Sequence, residues 1–220
     1  YYDSMSETQT SYQVQVSSDS LYSSADMWDS GEVTSSDTSV TYAGTTLGNG
    51  TTYYLRVKVG AGSFYSDWST LAFRMNTEPT TPVLVSPIND QVTATPVVLN
   101  VFNASDAEGD AVTYSFNVYD DATLTTKLDS VTAVTEGTDT TSWQVTATLP
   151  DNGQYFWTVS TNDGYEESAV SDAGSFLLNT DNNPPDMFTL SMPSVNTEVQ
   201  SLSPVFSWHP ASDPDPIDTV

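Results

Sequence analysis

Cysteine is absent from the 220 residues. No disulfide can staple this fold, so a stable core must come from packing, and the redox compartment cannot be read from thiols. Cations are nearly absent as well: Lys and Arg number 4 against 29 Asp and Glu, a formal net charge of −25. A surface that tracks phosphates needs clustered Lys and Arg, and Arg56, Lys58, Arg74 and Lys127 cannot supply one. Nucleic acid is excluded as a partner on that ground, and anionic membrane surfaces are disfavoured for the same reason. The acidity suits a cation-rich medium in which salt screens self-repulsion. Long apolar runs are missing too, so this segment is expected to contain neither a signal peptide nor a direct membrane insertion.

Catalytic residue types are equally scarce. His209 is the single histidine, at a strand end, and there is no thiol. No Ser-His-Asp or Cys-His set can be assembled from that stock, so the chain is expected not to be an enzyme and to have no catalytic residue and no bound organic cofactor.

What is present is strand chemistry. Ser and Thr make up 62 of 220 residues, a polarity that would suit disorder, but 8 Phe, 12 Tyr and 5 Trp oppose that reading. Apolar residues alternate with polar ones: Tyr12, Val14, Val16; Tyr53, Leu55, Val57, Val59; Val112, Tyr114, Phe116, Val118; and Tyr155, Trp157, Val159. A period of two with one apolar face predicts half-buried antiparallel strands. No segment shows a helical period of useful length.

The segments recur. Tyr12 and Tyr114 are 102 residues apart, as are Tyr53 and Tyr155, while Phe73 and Phe176 are 103 apart. Ala104-Ser105-Asp106 returns 107 residues later as Ala211-Ser212-Asp213, and Leu99 and Val101 return as Phe206 and Trp208. A period near a hundred residues fits whole domains in tandem rather than a solenoid. The spacing predicts one module over 1–77 that lacks its first strands, a complete module over 80–180, and the first two strands of a third over 184–220. Proline-bearing joints, Thr77-Glu78-Pro79 and Asn183-Pro184-Pro185, separate them. Seven strands are predicted in the second module, at 82–87, 97–102, 112–119, 127–134, 140–147, 155–161 and 174–179. The fold class expected is all-β, as tandem seven-stranded antiparallel immunoglobulin-like β-sandwiches.

Particular residues resemble fibronectin type III modules of prokaryotic surface proteins. Leu47 precedes Tyr53 by six residues and Leu149 precedes Tyr155 by six, as in the family's tyrosine corner. Phe206-Ser207-Trp208 is similar to the family's second strand, and Trp28-Asp29-Ser30-Gly31 and Ser66-Asp67-Trp68-Ser69 also occur in such modules. Val101 stands where the third module has Trp208, so a cadherin-like sandwich is the alternative. The resemblance implies a Tyr hydroxyl bonded back to nearby backbone, Trp208 in a core, and an extracellular or cell-surface setting. It is weak for function, because such sandwiches host many roles.

The resemblance also brings the acidic loops of one pole together. Asp106, Glu108 and Asp110 fall between the second and third strands of the second module, and Asp163 lies in its 162–167 loop. Asp213, Asp215 and Asp218 occupy the equivalent place in the third, and Asp181 to Phe188 is similar to a cadherin junction. Such carboxylates could converge on structural calcium; the plain alternative is solvated acidic turns, favoured by the corresponding 3–8 segment, which has only Asp3 and Glu7. Asn49-Gly50-Thr51 and Asn103-Ala104-Ser105 match the N-glycosylation sequon. Trp157 and Trp208 read as core, while Trp28, Trp68 and Trp143 are open to packing or to stacking on glycans. The function expected is a structural module array (stalk, sheath or filament, with adhesion as one use) whose partners are neighbouring copies or further modules of a longer chain. The alternative is accessory carbohydrate-binding or spacer modules of a secreted carbohydrate-active enzyme.

Overall fold

A computed structural model of the chain describes residues 8–215. Among these every regular element is a β-strand. The chain divides into two compact units, one made of 1–77 with 107–109, the other of 78–106 with 110–220.

The first unit holds one sheet. Strands β1 (Ser11–Ser17), β2 (Trp28–Asp29), β3 (Thr52–Ala61), β4 (Phe64–Tyr65) and β5 (Ser69–Arg74) run in the order β2-β1-β3-β4, with β5 also on β3. Strands β1 and β3 pair antiparallel over their lengths, Tyr12 opposite Val59, Val14 opposite Val57 and Val16 opposite Leu55. The alternation therefore puts one continuous apolar face on the sheet, and Tyr54, Arg56 and Lys58 fall on the other. The connection from 30 to 51 returns over the apolar face and is tied by a bridge between Tyr12 and Val33.

The second unit contains two packed sheets. The larger has the order β10-β9-β12-β13-β7, from β7 (Gln91–Thr93), β9 (Thr113–Tyr119), β10 (Lys127–Thr135), β12 (Gln154–Asn162) and β13 (Gly174–Leu178). The smaller has the order β11-β8-β6, from β6 (Val83–Ser86), β8 (Val98–Phe102) and β11 (Thr140–Gln144). Val97, Leu99 and Val101 from one sheet and Tyr114, Phe116, Val118, Trp157, Val159 and Phe176 from the other form one core. Alternate residues of paired strands meet face to face, which is the packing of a sandwich. Phe116 lies between two tryptophans, its centroid 6.0 Å from Trp143 and 6.3 Å from Trp157. The buried indole is satisfied, since Trp157 Nε1 donates to the Pro87 carbonyl at 2.7 Å.

All seven strands expected over 80–180 are present, with one addition. The expected 82–87 segment is β6, and the addition is β7, which lies in the other sheet and pairs parallel with β13. Pro87 has no N–H to continue the ladder, and Asn89 and Asp90 at φ 55° and 58° turn the chain across. Among the described residues beyond 186, β14 (Leu190–Met192) and β15 (Ser207–Trp208) pair only with each other.

Candidate functional site

The chemically distinctive side chains are the aspartates, and in the second unit they close turns. Asp121 accepts from the backbone N–H of Thr123, Thr125 and Thr126, at 3.0, 3.2 and 2.7 Å, and from the Thr123 hydroxyl. The Thr123 hydroxyl and these amides hold its carboxyl well below the ordinary carboxylate range. Asp129 reaches from β10 to the chain after β11, accepting from Thr146 N at 2.7 Å and Ala147 N at 2.8 Å. Burial pushes this carboxyl up, but the Ala147, Thr146 and Ser130 hydrogen bonds outweigh it and the net shift is downward. Asp151 accepts from Thr180 N and Asp181 N, at 2.8 and 3.2 Å. A carboxylate facing several backbone donors is an efficient clamp, because charge-assisted hydrogen bonds are stronger than neutral ones.

The residues expected to hold calcium divide among such local roles. Asp163 Oδ1 accepts from Tyr165 N and Glu166 N, both at 2.7 Å, which closes the 162–167 loop. Asp106 Oδ1 accepts from Asp110 N at 2.9 Å. Glu108 falls in the first unit, where its Oε1 accepts from the Thr77 hydroxyl at 2.7 Å. Asp213 Oδ1 accepts from Asp215 N at 3.0 Å, and the buried Asp215 accepts from Asn183 N at 2.8 Å. Asp218 lies outside the described residues, as does most of the 3–8 segment. Among the described residues no group of three or more His, Cys, Asp or Glu is gathered as a metal site.

The sequon asparagines differ. Asn49 is exposed, whereas Asn103 is half-buried with its amide in use: Nδ2 donates to the Gly137 carbonyl at 2.8 Å and Oδ1 accepts from Thr141 Oγ1 at 2.8 Å. His209 is exposed, with its backbone N–H on the Thr189 carbonyl at 2.9 Å.

Both tyrosine corners form. Tyr155 Oη donates to the Pro150 carbonyl at 2.6 Å, and Tyr53 Oη accepts from Gly48 N at 2.8 Å. Sequence reasoning missed a third such tyrosine. Tyr114 Oη accepts from Ala104 N at 2.7 Å and donates to Glu136 Oε2 at 2.8 Å. Burial, with the Glu136 carboxylate beside it, pushes its pKa up to about 12. Its partners lie on two loops whose meeting no local pattern announces.

The tryptophans left open by the sequence are all engaged. Trp28 packs edge-on against Tyr42 at 5.4 Å between centroids, and Trp143 joins the rim of the core. Trp68 faces two cations, the Arg56 guanidinium at 4.5 Å and the Lys58 ammonium at 4.9 Å from its ring centroid. Arg56 also lies 4.5 Å from the Tyr22 ring, and Lys58 4.8 Å from Tyr65. Two of the chain's few cations are thus stacked among three aromatics on the outer face of β3. Trp157 is core as expected. Trp208 is not: it is 61 % exposed, because no second sheet of its own module lies across β14 and β15 among the described residues.

Two openings bring side chains together. One, of about 500 Å³, lies on the apolar face of the first unit's sheet, between β1 and β3 on one side and the 37–42 segment on the other. The other, of about 570 Å³, lies beside Phe188 and Trp208.

No curated protein matches the chain. Among solved structures, the FN1–FN3 domains of chicken CNTN1 align over 86% of this chain and 64% of that one, at 11% identity and a TM-score of 0.35. The alpha chain of the chicken interferon gamma receptor, solved in selenomethionine form, aligns over 81% of this chain and 89% of that one, at 16% identity and a TM-score of 0.38. The chain therefore spans less than two thirds of the CNTN1 fragment. Residues 2–76 match the family model described as the Rha78A-like, N-terminal immunoglobulin domain, so this all-β chain opens on an immunoglobulin-like domain similar to that family's.

Proposed function

We propose that these modules are structural and non-catalytic, and that they act as spacers within a longer extracellular or cell-surface protein. The observation that supports this is the use of the acidic groups. Asp121, Asp129, Asp151 and Asp163 each bind two or more backbone amides and so lock turns. Carboxylates committed to backbone donors stiffen loops; they do not form a reacting pair. The description of the matched family as an N-terminal domain supports a place within a longer chain.

Calcium remains a proposal of lower rank than acidic turns. On the favoured reading the melting temperature is the same in calcium and in chelator at matched ionic strength. A rise specific to calcium would reinstate ion binding at the loops.

A second reading, accessory modules of a secreted carbohydrate-active enzyme, is favoured by the cluster of Tyr22, Tyr65 and Trp68 on the outer face of β3. Affinity electrophoresis through gels containing polysaccharides separates the two. Unretarded migration in every gel is expected for spacers. Retardation in one gel, lost on Trp68→Ala, would establish glycan binding instead.

A further inference from the structure

The fold treats the two sequons in opposite ways. Asn49 stands in the turn that leads into β3, and both Asn49 and Thr51 are exposed. Other groups hold this turn. Gly48 N donates to the Tyr53 hydroxyl at 2.8 Å, Gly50 N to the Met75 carbonyl at 2.9 Å, and Met75 N to the Thr51 carbonyl at 3.0 Å. Gly50, at φ 70°, takes the left-handed position that a residue with a side chain would resist. The Asn49 carboxamide makes no hydrogen bond to a described residue. The Thr51 hydroxyl lies 3.3 Å from the Asn49 carbonyl, on the same turn. A group attached to Asn49 Nδ2 therefore displaces nothing that the turn needs.

Asn103 is tied on every side. Its Nδ2 donates to the Gly137 carbonyl and its Oδ1 accepts from the Thr141 hydroxyl, both at 2.8 Å. That hydroxyl also accepts from Gly137 N at 3.0 Å, and Thr141 is buried. Asn103 N donates to the Asp139 carbonyl at 3.1 Å. The other end of this sequon is paired as well: Ser105 N donates to the Thr80 hydroxyl at 2.8 Å, and the Ser105 carbonyl accepts from Thr80 N at 2.9 Å. An enzyme that takes the Asn103 amide must first draw it out of both of its hydrogen bonds.

We propose that Asn49 is an N-glycosylation site of the folded chain and that Asn103, which carries the same sequon, is not. The donor is an oligosaccharide borne on a polyprenyl pyrophosphate, and the catalyst is an oligosaccharyltransferase. A bond forms between Asn49 Nδ2 and the anomeric carbon of the first sugar. The bond from that carbon to the pyrophosphate oxygen breaks, the lipid pyrophosphate leaves, and Nδ2 gives up one proton. The Thr51 hydroxyl completes the acceptor pattern. The site goes beyond the spacer reading and shares no residue with the aspartates that support it.

Transfer to the purified, folded chain by an oligosaccharyltransferase with its lipid-linked oligosaccharide provides the test, read by intact mass and glycopeptide sequencing. Peptides of residues 46–54 and 100–108 measure what each sequon does without the fold. The expected result is one glycan on the folded chain, at Asn49. The preference for Asn49 over Asn103 should exceed that of the two peptides by about tenfold or more, because two hydrogen bonds must open at Asn103 first. Thr51→Ala should abolish transfer to the folded chain. Ser105→Ala removes the second sequon while sparing the bonds of Asn103, and should leave transfer unchanged. No glycan at Asn49 of the folded chain, or a preference no greater than that of the peptides, would overturn the proposal. Either result leaves the spacer reading standing, since the enzyme is supplied in the reaction.

Discussion

A tyrosine hydroxyl bonded to backbone closes a loop only while it keeps its proton and its place. Tyr155 donates to the Pro150 carbonyl from a buried position. Tyr155→Phe is expected to cost about 1 kcal/mol, the net value of one such bond plus an orphaned acceptor, read as a lower urea midpoint. Tyr114 carries a larger role, because its oxygen serves Ala104 N and Glu136 together. Tyr114→Phe is expected to cost roughly 1–3 kcal/mol, since the half-buried Ala104 N–H loses its acceptor. The same residue sets an alkaline limit. Its folded pKa lies near 12, above its ordinary value of 10.0, so the neutral form is favoured in the fold. Its contribution is whole below about pH 10 and declines as pH rises towards 12. Unfolding curves over that range should flatten in Tyr114→Phe. The aspartates act at the other end. Asp121 and Asp129 have folded pKa values below the ordinary 3.8, so their contribution is present above that pH and is lost as pH falls through the lower, folded values. Asp129→Asn should lose part of this acid dependence and, after allowance for solvent screening, about 1 kcal/mol at neutral pH, seen by urea titration at neutral and at acid pH.

At the scale of elements, the same strand pattern meets two environments. Phe176 and Phe73 occupy equivalent places, one fully buried and one half-buried. Phe176→Ala is expected to cost about 3–5 kcal/mol, and Phe73→Ala less than half of that. Hydrogen exchange of β12 and β3 reads each unit separately. The strands themselves were legible, because period-two alternation is a local property of the sequence and the sheets obey it. The added strand β7 was not expected from the sequence. Pro87 and the Asn89-Asp90 pair signal a break, but which sheet receives β7 depends on β13, more than 80 residues away. The bulge in β10, where Ala133 sits at φ 57° and the register shifts between Val131 and Val134, has no turn residue to announce it.

For the molecule as a whole, charge sets the conditions. With 29 acidic residues and few cations, self-repulsion opposes compaction, and added sodium chloride should raise the melting temperature until the charge is screened. Differential scanning fluorimetry over a salt series would show it, and a flat response would mean that the clamped aspartates already offset the repulsion. Residue type and spacing determined this much alone: an all-β chain, a repeat near a hundred residues, and corner tyrosines at two places. These follow from residue type and spacing, which act over a few positions. Tertiary structure decided the rest. It put Trp143 beside Phe116, Trp68 against Arg56 and Lys58, and Asn103 into a hydrogen-bonded loop. It also left Trp208 exposed where the sequence implied a core. A tryptophan is buried only when a facing sheet is present to bury it, and that is a property of what lies across the sandwich rather than of the strand that carries the residue.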